Sequence, residues 1–143
     1  MRIPTGILLI VLFGISGCLS AITDPLDRRG AFEDTQTKFT QYVRWGKFQE
    51  ASQFVDPEIR AEFMSHAPEF SDLRFSDYEI IGVDIQDGVK SASVEVRFTA
   101  YHLSSPIERS VDLPEEWTRN TATGSWTVKV DIEKLRDAML GAP

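Results

Sequence analysis

The hydrophobic period of this chain changes once, and that change restricts its folds more than any other feature. Up to about Pro68 the apolar residues recur every three or four positions, the spacing of one helix face; from Glu79 onward they alternate, the spacing of one strand face. Asp24-Pro25 reads as a helix start, an acceptor side chain at the N-cap followed by proline in the first turn, with Asp27 placed to complement the helix dipole. Phe32, Thr35, Phe39, Tyr42, Val43 and Gly46 then predict a helix to about Trp45, stopped by Gly46. Residues 47–55 repeat the pattern with Phe48, Ala51, Phe54 and Val55. Asp56-Pro57 starts a third helix carrying Ile59, Phe63 and Met64, with Pro68 closing it.

The second half predicts four strands. Residues 79–85 place Ile81, Val83 and Ile85 on one face, and Asp87-Gly88 signals a hairpin. Residues 92–103 set Val94, Val96, Phe98 and Ala100 against Glu95, Arg97, Thr99 and Tyr101. Residues 107–117 form a third strand bent near Pro114, which suits an edge or a bulge. After the turn at 121–124, Trp126, Val128, Val130 and Ile132 alternate again, and 133–140 predict a short closing helix. Helices first and an antiparallel meander second give an α+β fold, with N-terminal helices packed in a four-stranded antiparallel sheet.

Residues 1–17 follow a different logic. Arg2 precedes the apolar run Ile7, Leu8, Leu9, Ile10, Val11, Leu12, Phe13, and small residues lead to Cys18, the only cysteine in the 143 residues. This is the layout of an export signal. As a helix, 7–15 would span only ~13 Å, against a hydrocarbon thickness of ~30 Å. Ile15-Ser16-Gly17-Cys18 resembles a bacterial lipobox. The resemblance implies a signal peptide at 1–17, cleavage before Cys18, a diacylglyceryl group on its thiol, fatty acylation (palmitate) of its new amino terminus, and a tether at 18–23 ahead of one domain at 24–143. Leu19 after the cysteine favours the periplasmic leaflet of the outer membrane. The alternatives are an uncleaved inner-membrane anchor and an ordinary secretory signal.

Charge narrows the partners. With Lys+Arg 15 against Asp+Glu 22 and a formal net charge of −7, the chain is a poor match for nucleic acid, whose phosphates require clustered cations. It is equally poor for electrostatic adhesion to an anionic bilayer. Arg28 and Arg29, close to the tether, are placed either to face head groups or to be solvated. No metal-ligand spacing, phosphate loop or serine elbow is present, so neither metal nor cofactor is expected.

The element order, the Trp45-Gly46 helix end, the Gly46-Lys47-Phe48-Gln49-Glu50-Ala51 step, and Trp117 and Trp126 flanking Thr121-Ala122-Thr123-Gly124 resemble the nuclear transport factor 2-like superfamily, a helix wrapped by a curved sheet into a cone. The extra strand usual between the second and third helices is not visible. The superfamily hosts ketosteroid isomerase-like enzymes, which pair a carboxylate base with acidic hydrogen-bond donors in an apolar pocket. That resemblance makes Tyr42, Asp84 and His102, with Tyr101 as its neighbour, the catalytic candidates. It also implies homodimerisation through the sheet face.

The plainer readings are a rim tyrosine for Tyr42 and a half-buried strand-end histidine for His102, whose place in the inward series would otherwise put it at the cavity mouth. His66 is placed to meet its own helix's C-terminal carbonyls, and Asp112, Glu115 and Glu116 form an acidic group around Pro114 expected to be solvated. Two functions follow as expectations. One is a lipid-anchored envelope protein whose domain binds a protein partner or a small apolar ligand; the other is an acid/base enzyme acting on a hydrophobic small molecule.

Overall fold

The computed structural model of the chain describes residues 25–86 and 88–141. The expected signal peptide, the 15–18 motif, the 18–23 tether, the Asp24 cap and Asp87 of the hairpin turn lie outside them.

The first helix, α1 (Pro25–Arg44), buries Phe32, Gln36, Phe39, Thr40 and Val43. That stripe departs from the expected one: Gln36 and Thr40 are buried, whereas Thr35 and Tyr42 are only half-buried. Thr35 sits off it, half-exposed, with its hydroxyl donating to the Ala31 carbonyl at 2.7 Å; Gln36, one residue on, is the position that faces inward. The helix ends where Gly46 takes φ +67°, and the reversal is closed by Gly46 N–H to the Val43 carbonyl at 2.9 Å and Lys47 N–H to the Tyr42 carbonyl at 2.8 Å.

A short helix α2 (Phe48–Ala51) passes into a 3-10 turn (Ser52–Phe54). Val55 then makes a single parallel bridge to Val128, standing where the superfamily pattern has its extra strand. Helix α3 (Arg60–His66) follows. Pro68 does not end the helical path: the chain continues as a 3-10 turn (Ala67–Phe70) with the proline in its first positions, where a missing N–H costs no bond, and Phe70 stacks on Phe48 at 4.8 Å.

Four antiparallel strands lie in the order β1 (Leu73–Gln86), β2 (Ser91–His102), β3 (Ser105–Arg119) and β4 (Trp126–Val130). Helix α4 (Ile132–Leu140), capped by the Asp131 side chain accepting from Lys134 N–H at 2.8 Å, closes the fold over Ile132, Leu135 and Met139. Strand β1 begins six residues before the expected start. It carries register shifts between Phe75 and Asp77 and between Ile80 and Gly82. The second shift reverses a sequence expectation: Ile80, not Ile81, is opposite Val96 on the inner face, followed by Val83 opposite Val94 and Ile85 opposite Ala92.

Pro114 lies in β3, which is central rather than an edge. The pairing of β3 with β4 starts only at Glu115, so the missing N–H of Pro114 interrupts no β3–β4 bond.

The core gathers where α1 crosses the sheet. Phe32 meets Trp126 at 4.9 Å and Trp117 edge-on at 5.9 Å, and Phe39 meets Trp117 edge-on at 5.6 Å. Each buried aromatic removes on the order of 150–250 Å² from water, so this cluster anchors the helix to the sheet. The outer face is polar. Arg97 donates twice to Asp112 at 2.7 and 2.8 Å, Thr99 pairs with Ser110, and Ser93 donates to Glu116 at 2.8 Å.

Candidate functional site

Two of the three acidic residues around Pro114 are solvated as expected, and the third is not. The inward series Val111, Leu113, Glu115, Trp117 follows strand alternation, so Glu115 enters the core, where it is 0% exposed. Its Oε2 accepts the Trp117 indole N–H at 2.9 Å and, more weakly, the Gln36 amide N–H at 3.4 Å. The same Gln36 amide donates to Thr40 Oγ1 at 2.8 Å. Oε1 has no hydrogen-bond partner among the described residues, and the indole N–H of Trp126 is likewise buried and unpaired. Burial in a setting without a countercharge pushes the Glu115 carboxyl up to about 7, and the two N–H donors only partly offset it. Near neutral pH this side chain therefore divides between acid and carboxylate.

A groove of about 260 Å³ runs between α1 and the inner side of β1. Phe32, Gln36 and Thr37 come from α1, Ile80 and Val83 from β1, and Val94 from β2, with the Arg29–Glu33 ion pair at 2.9 Å along its exposed margin. Ile80 and Val83 are large apolar side chains left 41% and 52% exposed on an inward-facing register, because β1 stands away from α1 along this stretch. Two residues link groove and carboxyl. Gln36 lines the one and bonds the other, and Val94 lines the one and sits directly opposite the other in the β2–β3 ladder. Glu115 is thus one side chain deep behind the groove wall.

Three other depressions lie elsewhere. A hollow of about 340 Å³ is bounded by Arg44, Trp45 and Phe70, but the Arg44 guanidinium is committed to the Ser76 carbonyl at 2.7 Å and to the Trp45 ring at 4.9 Å. One of about 300 Å³ holds His102, Ser104 and Arg109, and an open trough of about 520 Å³ separates α3 from α4 and β4.

The three sequence candidates fall in three separate places. Tyr42 is half-buried on α1 with its ring stacked on Phe54 at 6.1 Å. Asp84 is exposed on β1 and accepts from the Gln86 amide at 2.6 Å. His102 lies at the far end of β2, its Nδ1 bonded to Ser104 Oγ at 2.7 Å, with half-buried Tyr101 beside it. Asp84 pairs in register with Ser93, which lies nine positions from His102 along β2, and at ~3.3 Å per residue that is roughly 30 Å. No single ligand of ordinary size reaches both.

His66 turns from its own helix end: Nδ1 meets Glu69 Oε1 at 2.6 Å and Nε2 lies 3.8 Å from Glu133 of α4. Arg29 pairs with Glu33 on its own helix. Among the described residues no group of three His, Cys, Asp or Glu side chains is placed to hold a metal ion, and no helix is long and apolar enough to cross a membrane.

The sequence reading placed Glu115 in a solvated acidic group and passed over Gln36, yet each carried a signal of burial. Glu115 shares the parity of Leu113 and Trp117, and Gln36 falls four residues after Phe32 and three before Phe39.

No family model matches the sequence, and no curated protein matches it. Among solved structures the chain is similar to a ketosteroid isomerase-like protein from Erwinia carotovora atroseptica, at 16% identity and a TM-score of 0.53 over 68% of this chain and 88% of that one. It is similar also to a SEC-C motif containing protein from Rhodopseudomonas palustris (14% identity, TM-score 0.52, 64% of this chain and 70% of that one). A third likeness is to AclR from Streptomyces galilaeus (11% identity, TM-score 0.51, 82% and 87%). These likenesses establish the fold, an α+β cone of the nuclear transport factor 2-like kind with helices packed in a curved four-stranded antiparallel sheet.

Proposed function

We propose that this chain is an envelope lipoprotein, anchored through lipid on Cys18 in the periplasmic leaflet of the outer membrane, whose domain binds a small apolar ligand in the groove between α1 and β1. The observation that carries the ligand reading is the groove itself. Its walls are Phe32, Ile80, Val83 and Val94, two of them large apolar side chains left open to solvent on the inner side of the sheet. Exposed apolar surface inside a concavity is unfavourable in the empty protein, and a ligand that covers it recovers the hydrophobic term of ~25 cal/mol per Å². The Ile15-Ser16-Gly17-Cys18 pattern supports the anchor.

The test has two arms. Val83→Glu places a charge in the groove and is expected to abolish binding of an environment-sensitive naphthalene dye that wild type binds; equal binding by both proteins would refute the groove. Intact-mass measurement of the membrane fraction is expected to give an acylated chain starting at Cys18, and Cys18→Ser is expected to leave the membrane. A full-length Cys18→Ser protein that stays membrane-bound would instead establish the uncleaved inner-membrane anchor.

A second reading, an acid/base enzyme on a hydrophobic small molecule, draws on one feature. A carboxyl held at about 7 is matched to proton transfer at neutral pH. In that reading Glu115, not Tyr42, Asp84 or His102, moves the proton, and Glu115→Gln abolishes turnover while leaving ligand affinity intact.

A further inference from the structure

The C-terminal end of α1 carries charge that the fold does not neutralise. Arg44 donates to the Ser76 carbonyl at 2.7 Å, and Arg74 donates through Nη1 to the Ser71 and Leu73 carbonyls at 2.8 and 2.9 Å. A backbone carbonyl fixes a guanidinium in place without cancelling its charge, and it leaves most of the five N–H donors unused. Neither arginine forms an ion pair among the described residues, and both line the hollow of about 340 Å³ at this end of the helix. No carboxylate lines it, although the chain has Asp+Glu 22 against Lys+Arg 15. Of the neighbouring acids, Glu69 meets His66, Asp77 accepts from the Tyr78 N–H, and neither they nor Asp72 belong to the lining.

The same hollow is apolar at its base and open at its rim. Phe48, Phe70, Leu73 and Phe75 form the base, each 5% exposed or less, while Trp45 stands at the rim 68% exposed. The indole is held there by the Arg44 guanidinium, 4.9 Å from its ring centre. Gly46, at φ +67°, turns the chain away directly after it and leaves open space where a side chain would stand. Tryptophan and arginine are the residues most enriched at the energetic centres of protein interfaces. Here both are already held in place, so less side-chain freedom is lost when a partner arrives.

We infer that this hollow is a docking surface for an acidic segment of a partner protein, an extended stretch with one aromatic or large aliphatic side chain between two carboxylates. The apolar side chain lies against Trp45 and over Phe48 and Phe70; one carboxylate meets Arg44 and the other Arg74. Charge complementarity selects this occupant. Two fixed guanidiniums on a chain of net charge −7 do not hold nucleic acid, which needs cations along its length, or an anionic bilayer, which needs a polybasic face. A short acidic segment needs only the two. Arg44 lies seven residues beyond Thr37, the last α1 residue of the α1–β1 groove, roughly 10 Å along the helix. The docking surface is therefore separate from the groove and does not rest on its ligand.

The experiment follows the backbone amide NMR shifts of the full chain as three peptides are titrated: acetyl-Ser-Gly-Asp-Phe-Glu-Gly-Ser-amide, the same with Asn and Gln for its acids, and the same with Ala for Phe. The acidic peptide is expected to shift residues 44–48 and 70–75 with a dissociation constant on the order of 0.5 mM at low salt, and each altered peptide to bind about tenfold more weakly. Arg44→Gln, Arg74→Gln and Trp45→Ala should each weaken the acidic peptide about three- to tenfold. Lys38→Gln removes the same charge from an exposed site elsewhere on α1 and should change its affinity less than about twofold. No saturable shift below about 5 mM, or equal affinity for the acid and amide peptides, overturns the docking surface. Equal weakening by Lys38→Gln and Arg44→Gln overturns it in favour of net charge alone, and shifts confined to the α1–β1 groove overturn it in favour of that groove. Loss of the same signals on phosphatidylglycerol vesicles, with no response to the peptide, overturns it in favour of a lipid surface. Trp45 and Arg74 are exposed, so their replacements leave the core intact, and the three wild-type titrations decide the matter even where Arg44→Gln folds poorly. The dye test of the α1–β1 groove stands or falls separately.

Discussion

Replacing Glu115 by Gln is expected to stabilise the protein at slightly alkaline pH and to leave it unchanged in acid. The folded chain holds this carboxyl at about 7 against an ordinary 4.5, chiefly because burial disfavours the charge. Below 4.5 both folded and unfolded chains carry the proton and no penalty arises. Between 4.5 and 7 the unfolded chain releases it while the folded chain keeps it, so stability falls as pH rises; above 7 the loss is complete. The gap between 4.5 and about 7 corresponds to about 3 kcal/mol at 1.36 kcal/mol per pH unit.

Gln occupies the same volume, accepts the Trp117 N–H through its own oxygen and never ionises. The mutant should therefore gain toward ~3 kcal/mol over wild type at pH 8 and almost nothing at pH 4.5. For a domain of this size that is a midpoint difference of about 10 °C at pH 8. Thermal and urea unfolding of both proteins at pH 4.5, 6 and 8 measures it, and the other carboxylates cancel in the difference. Parallel pH profiles for the two proteins, or a mutant less stable than wild type at pH 8, would refute the assignment of a costly buried carboxyl.

Further outcomes follow from the packing. Phe32→Ala removes the ring that touches both Trp117 and Trp126 and should cost about 3–5 kcal/mol in urea unfolding. Gly46→Ala should cost about 1 kcal/mol through backbone strain alone, because φ is +67° while no atom lies within 4 Å of the added methyl. Asp84→Asn and His102→Ala should each leave dye binding in the α1–β1 groove unaltered, since neither lines it. Joint replacement of Arg97 and Asp112, both on the outer face, should leave the unfolding midpoint within error of wild type.

Much of the architecture was legible in the residues, because four runs of period two after three of period three and a half leave few α+β arrangements. The start of β1 was not. Arg74 and Asp77 project outward around a bulge, which breaks the alternation that would have joined Leu73 and Phe75 to Ile80. The same kind of irregularity exchanged Ile81 for Ile80 on the inner face. The candidate site was harder for a different reason. Tyr42, Asp84 and His102 were chosen by chemical type and by likeness to known enzymes, whereas the polar groups nearest the groove are a glutamine in its wall, which does not titrate, and behind it a glutamate that composition alone assigns to the surface. Strand parity with Trp117 was the better guide than residue type.

Strand β1 is an outer strand of the sheet and bears Ile80, Ile81 and Val83 in the open, the profile of a segment that recruits further strands into aggregates. Its two register shifts work against this. A straight incoming strand stays in step with a ladder only while donors and acceptors recur at an even interval, and β1 breaks that interval twice within fourteen residues. These irregularities make the edge a poor template, so the protein can carry an apolar margin in the open without offering its copies a seam along which to join.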